Sequence, residues 1–351
     1  MSGFLAALLL GAGWNAMLVT LGTALLGLAA GAVGTVMVLR RRALLSDAMA
    51  HATLPGLGAA FLLMAALGGS GRALPGLMAG AALTAFLALL AVEWLGARTR
   101  IPEDAAIGAT LSVAFGLGLV LLTVIQVAGL GEPAGLESFL LGSTAGMLRA
   151  DVLAIALGAA AALSALWVLR RPMTLLAFDE GFAAAAGLPV RLLDRVAMTL
   201  VLFVTVAGMR VVGLVLIVAL LILPPVAARF WTDRAGRMTV LAGLFGALSG
   251  WIGTALSAAA PDLPAGPMVV LAAATLMAAS LLLAPGRGAL ARMRAARARQ
   301  PTLDRREGEL WAALRLADPA SPLIERDDGH TALSALLPPD RLARLLAGGE
   351  R

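Results

Sequence analysis

Apolar stretches that recur with short breaks from residue 14 to residue 284 decide what this chain can fold into. A hydrocarbon layer roughly 30 Å thick takes about 20 residues of α-helix to cross, and within it each backbone polar group must find a partner inside the protein. Stretches of suitable length lie at 14–39, 48–67, 73–95, 104–128 and 151–169, then at 195–209, 211–228, 238–259 and 267–284. The stretch 195–209 is short, so 195–228 holds either two spans or one span plus a broken half-helix. Eight or nine spans are expected. The fold class is all-α, a polytopic membrane helical bundle over residues 1–284, followed by a cytosolic C-terminal extension over 285–351. Composition agrees, with 60% hydrophobic residues, 14% charged and a mean hydropathy of +0.92.

Charge gives the orientation. The 27 basic side chains are all arginine and the net charge is +6. Arginines concentrate at 40–42, at 98 and 100, at 170, 171, 191 and 195, and at 229, 234 and 237, which are alternate connections between spans. The positive-inside rule makes those connections cytoplasmic. Arg72, Arg149 and Arg210 are the basic residues of the opposite side. Nine spans place the N-terminus outside and the tail in the cytosol; eight place the N-terminus inside. Topology accounts for the basic charge, so no nucleic-acid partner is expected. No basic segment precedes the first apolar run, so no cleavable signal peptide is expected. With no cysteine there is no disulfide and no thiolate metal site.

Inside this apolar sequence, the run RRRALLSDAMAHATLPG from Arg40 to Gly56 carries Asp47 and His51 four residues apart. On a helix that spacing puts both side chains on one face, with Cβ atoms roughly 5–6 Å apart, near enough to share a cation. An ionised side chain at a bilayer centre costs about 2.5–3.5 kcal/mol on insertion scales, so it ordinarily faces water, a partner charge or an ion. An alternative also fits the sequence: Asp47 caps a helix that begins after Ser46, and His51 hydrogen-bonds a neighbouring helix.

The connection 170–194 reads as a short cytoplasmic helix in place of a simple turn. Asp179, Ala183 and Gly187 recur every fourth residue there. They form either a narrow stripe on which another protein can dock or one face of an ordinary interfacial helix. Glu103 and Asp104 suit a helix N-terminus. Glu93 is expected to snorkel or to pair with Arg98, and Glu132 and Glu137 to lie on an outer loop. Pro224 and Pro225 should kink a span, and the segment Pro264 to Pro267 should break the chain. Gly27 and Gly31 have the spacing that lets membrane helices pack closely.

Five ordered runs resemble the permease subunits of bacterial ABC importers for zinc, manganese and iron. They are RRRALLSDAMAHATLPG, IPEDAAIGATLSVAFGLG from Ile101, FDEGFAAAAGL from Phe178, RVVGLVLIVALLILPPVAARF from Arg210 and DLPAGPMVVL from Asp262, and the likeness covers about residues 14–284. The resemblance implies a multi-pass protein of the bacterial plasma membrane. Its partners would be a second permease chain, identical or different, a pair of cytosolic ATPase subunits and an extracytoplasmic metal-binding protein, with lipid around it. Asp47 and His51 align with the positions that bind the metal in the path, with Ser46 where relatives often carry glycine. Two copies would offer two carboxylates and two imidazoles to manganese, zinc or iron. Asp179, Ala183 and Gly187 resemble the coupling helix that sits in the ATPase. Ligation would require neutral imidazole and ionised carboxylate.

The sequence has no G-x-x-x-x-G-K-[ST] phosphate loop, so ATP hydrolysis must come from a partner. The chain is expected to be a transport subunit and no enzyme, with no permanently bound cofactor and with a divalent metal ion as cargo moved by alternating access. A proton-coupled secondary metal transporter is the alternative that needs no ATPase, and a siderophore or cobalamin permease is the ABC alternative that does not need Asp47 and His51. An intramembrane metalloprotease would need H-E-x-x-H, which is absent. In the tail, residues 303–317 have amphipathic helix spacing and a shorter helix is expected within 340–347.

Overall fold

A computed structural model describes residues 4–297 except 5, 6, 12, 70, 72, 129–145, 261, 262, 286 and 296. Glu132, Glu137, His330 and the expected tail helices at 303–317 and 340–347 lie outside the described residues. The chain divides into two units, Met1–Pro285 and Gly286–Arg351. In the second, residues 289–295 are helical.

The first unit is built from helices α1 (Trp14–Leu39), α2 (Ala43–His51), α3 (Thr53–Ala66), α4 (Leu74–Arg98), α5 (Glu103–Val127), α6 (Arg149–Phe178), α7 (Glu180–Ala185), α8 (Val190–Val212), α9 (Leu214–Arg229), α10 (Ala235–Ala259) and α11 (Ala265–Leu283). No strand occurs among the described residues. Among the described residues, eight segments are long and apolar enough to cross a membrane: α1, α2 with α3, α4, α5, α6, α8, α10 and α11. The stretch 195–228 resolves into one such helix, α8, and a shorter apolar one, α9. Gly213 separates them at φ 85°, ψ 167°, a conformation essentially confined to glycine.

Helix α1 occupies the centre, packed against α10, α9, α6 and α8. Its small side chains make this possible. A Cβ on Gly27 would overlap the Gly246 carbonyl, and one on Gly31 would overlap the Ala242 carbonyl, both in α10. On a neighbouring face, Gly34 lies against the Leu221 carbonyl of α9. Pro225 lacks the N–H that would otherwise bond that carbonyl, so Pro225 opens the site that Gly34 fills. Hydroxyls inside the bundle bond back to their own helix, as Thr20 does to the Ala16 carbonyl at 2.8 Å and Thr23 to that of Val19 at 2.8 Å. Those bonds satisfy polar groups that lipid cannot.

Proline also shapes the segment that carries Asp47 and His51. Pro55 cannot donate to the His51 carbonyl, and regular α-helix is interrupted at Ala52 between α2 and α3. Pro102 sits at the N-cap of α5 with Glu103 and Asp104 in the first turn, as expected of acids that suit a helix N-terminus. Helix α6 departs from the expected 151–169 span: it continues unbroken through Arg170, Arg171 and Pro172 to Phe178, so these arginines extend a helix and do not form a loop.

The glycine packing gives a test with an internal control. Gly31→Val should lower the thermal unfolding midpoint in detergent by about 2–10 °C, the effect of an overpacking penalty of about 1–3 kcal/mol. Gly116→Val, at a site where a Cβ meets nothing within 4 Å, should leave it unchanged.

Candidate functional site

Helix α2 begins at Ala43, with Arg42 as its N-cap, so Asp47 lies within the helix and does not cap it. This removes the capping reading. Leu45, Ser46, Ala48, Met49 and Ala50 are buried, and Leu44, Asp47 and His51 share the remaining, more open face. The helical turn brings Asp47 Oδ1 to 3.5 Å from His51 Nε2. That distance is longer than a good hydrogen bond and matches the roughly 3.4 Å expected between two atoms each about 2.1 Å from one tetrahedral ion.

The imidazole is held from α5, where Phe115 meets it edge-on with ring centroids 5.0 Å apart. Its Nδ1 is buried and has no hydrogen-bond partner among the described residues. His51 therefore does not hydrogen-bond a neighbouring helix, as the alternative reading required. The side chains of Asp47 and His51 are 42% and 25% exposed, on the outside of a single chain. Among the described residues, no cluster of three or more His, Asp or Glu side chains could hold a metal. One chain supplies two ligands, an incomplete set.

A second polar assembly lies one turn earlier. The turn between α1 and α2 is closed by hydrogen bonds from the Arg41 N–H to the Val38 carbonyl (3.2 Å) and from the Arg42 N–H to the Met37 carbonyl (2.9 Å). Arg41 stands at φ 59°, in the left-handed region, where a side chain other than glycine costs roughly 1–2 kcal/mol. The turn directs Arg40 and Arg42 onto the two oxygens of Asp194 in α8. Arg40 donates to Asp194 Oδ1 at 3.0 Å, to the Leu176 carbonyl at 3.0 Å and to Glu180 of α7 at 3.3 Å. Arg42 donates to Asp194 Oδ2 and pairs with Glu103 at 2.6 Å. Burial works against the Arg42 charge, but Asp194 and Glu103 outweigh it and raise its pKa above the ordinary arginine value. Arg42 thus remains charged at neutral pH.

These pairs gather the α1–α2 turn, the start of α5, α7 and the start of α8 at one end of the bundle. A cleft of about 600 Å³ opens beside them, lined by Arg42, Glu93, Glu103, Asp194, Arg195 and Met198. Glu93 bonds Arg195 at 2.8 Å, replacing the expected Arg98 partner. Sequence reasoning missed Asp194 and Glu180. The available signal was three consecutive arginines, which need carboxylate partners if they are not all solvated.

Helix α7 forms in the expected place, but its three marked residues have different environments. Asp179 is the N-cap and accepts from the Phe182 N–H at 2.8 Å. Ala183 is fully buried. Gly187 ends the helix at φ 79°, where the Gly187 N–H reaches the Ala184 carbonyl and the Leu188 N–H reaches that of Ala183, both at 3.0 Å. The spacing therefore marks the two ends and the seated face of a short helix. Its outward side carries Phe182, Ala184 and Ala185.

A bundle of spanning helices with a polar pair set in one of them defines a multi-pass membrane protein. The family model for the ABC 3 transport family matches residues 15–284. The chain is 40% identical over 278 residues to the manganese transport system membrane protein MntC of Bacillus subtilis, covering 79% of this chain and 63% of MntC, somewhat less than two thirds of that relative. It is 39% identical over 274 residues to the zinc transport system membrane protein TroC of Treponema pallidum, covering 78% and 90% of the two chains. Among solved structures, PsaBC from Streptococcus pneumoniae in complex with Fab is similar with a TM-score of 0.67 at 30% identity, over 82% of this chain and 97% of that one. The chain belongs to the ABC 3 transport family.

The cap at Gly187 is testable. Gly187→Asn should preserve the end of α7 because asparagine tolerates the left-handed conformation, whereas Gly187→Val should cost about 1–2 kcal/mol locally. Limited proteolysis around residues 178–189 should be faster in the valine variant.

Proposed function

We propose that this chain is the membrane permease subunit of an ATP-driven importer of divalent metal ions, working by alternating access in a bacterial plasma membrane. The observation that carries the reading is the Asp47–His51 pair, separated by 3.5 Å on the open face of an otherwise apolar spanning segment. A second permease chain would supply the missing ligands across that face. Two carboxylates then balance a divalent charge, and their oxygen and imidazole nitrogen atoms suit manganese, zinc or ferrous iron. The names of MntC and TroC support manganese and zinc as the first metals to test.

Cytosolic ATPase subunits supply the work, and an extracytoplasmic metal-binding protein delivers the ion. Helix α7, bounded by Asp179 and Gly187 and seated through Ala183, is the proposed contact with the ATPase. ATP-driven closure of the ATPase pair would move the spanning helices as rigid bodies and open the path alternately to each side. Coordination has to be transient, because a closed tetrahedral cage would retain the ion.

Uptake of radioactive manganese and zinc into cells whose own importer is deleted tests the reading. Asp47→Asn and His51→Ala should each reduce uptake at least about tenfold, since losing even an outer-shell partner of a ligand costs about 10–100-fold, while the variants still co-purify with the ATPase. Uptake at the wild-type rate in either variant would reject the assignment. Acidifying the medium should weaken metal binding by the purified wild-type complex, since protons compete for both ligands.

A further inference from the structure

We propose that Asp194 is a positioning residue that transmits movement of α7 to α2, the helix bearing Asp47 and His51. This rests on the reading of α7 as the ATPase contact. Helix α7 packs chiefly on α6 and α8, and none of its backbone lies among the main contacts of α2. The link to α2 is made by side chains. Glu180 of α7 and the last turn of α6, through the Leu176 carbonyl, are both held by Arg40. Arg40 shares Asp194 with Arg42, each arginine taking one carboxylate oxygen. Arg42 is the N-cap of α2, and Asp47 follows five residues later, about 7 Å along the helix axis.

Beyond the Glu180 contact, whose side chain is 60% exposed, three properties make this route stiff. The Arg40 and Asp194 side chains are only 9% and 14% exposed, so solvent screens their attraction little. Each rigid, planar guanidinium directs its donors to separate acceptors at once, Arg40 to Asp194, the Leu176 carbonyl and Glu180, and Arg42 to Asp194 and Glu103, which fixes its orientation. The intervening turn is already tight, with Arg41 in the left-handed region, and it has little slack to absorb a displacement. A push on α7 therefore moves the α1–α2 turn together with the start of α8, and α2 turns with its own N-cap. Glu103, bound to the other side of Arg42, carries the same motion to α5, whose Phe115 contacts His51.

The test uses the full chain assembled with its ATPase in liposomes, with manganese as the probe. Because the chain has no cysteine, a single Leu44→Cys substitution beside the pair on α2 and a separate Ala186→Cys at the C-terminal end of α7 each accept one environment-sensitive label, and import per ATP is measured on the unlabelled protein. In the wild-type background, ATP should change the signal of both labels. In Asp194→Asn, ATP should still change the α7 signal and be hydrolysed, but the α2 signal should stay still and manganese imported per ATP should fall at least tenfold. Arg42→Gln, which leaves the Arg40–Asp194 pair in place, provides the second variant and should show the same separation. Wild-type import per ATP and an undiminished α2 response in both variants would overturn the proposal. A loss of thermal stability with import per ATP unchanged would also overturn it, since that is the result of a merely structural role. An α7 label that ignores ATP in the wild-type assembly would instead overturn the reading of α7 as the ATPase contact.

Discussion

Backbone against backbone, with no Cβ between, is the contact on which this bundle depends. Lipid tails are as apolar as leucine, so spanning helices gain little from hiding apolar side chains from one another and must associate through close packing. Helix α1 meets α10 and α9 at Gly27, Gly31 and Gly34, where the partner carbonyls occupy the space that side chains would fill. This contact holds α1 at the centre. The position of its C-terminal turn follows, and with it the placement of Arg40 and Arg42 over Asp194.

Much of this arrangement was legible in the sequence because the bilayer imposes a length on each element. The spans, the Gly27 and Gly31 contact, the acidic start of α5 and the existence of α7 are local in origin, each set by residues within a turn or two. The ambiguous stretch 195–228 shows where locality ends. Its sequence permits two readings, and the choice between them is made by Gly213, whose φ of 85° becomes necessary only when α8 and α9 pack on the same neighbours. The partners of Glu93 and Arg40 were not legible for a similar reason. Arg98 is near Glu93 along the chain, but Arg195 is near it in space, and no local rule reports a separation of 102 residues.

The candidate site was legible as two residues and not as a surface. Spacing put Asp47 and His51 on one face, and the structure gives that face its neighbours: Leu44 in the same helix and Phe115 from α5. The same pattern of four left two readings open at α7. Asp179, Ala183 and Gly187 have a common spacing but serve as a start, an anchor and a stop. A stripe of small residues looks alike whether it receives a partner or is seated against its own chain, and burial separates the two.

Helix α9 has only 16 residues, about 24 Å of helix, too short to traverse the roughly 30 Å of hydrocarbon. Non-helical backbone at that depth survives only where protein surrounds it, and Gly213, Leu214, Ile217, Leu220 and Leu221 are all buried. This helix is consequently indifferent to bilayer thickness. The long outer helices can answer a thicker or thinner lipid host by tilting, while α9 is held by the protein around it.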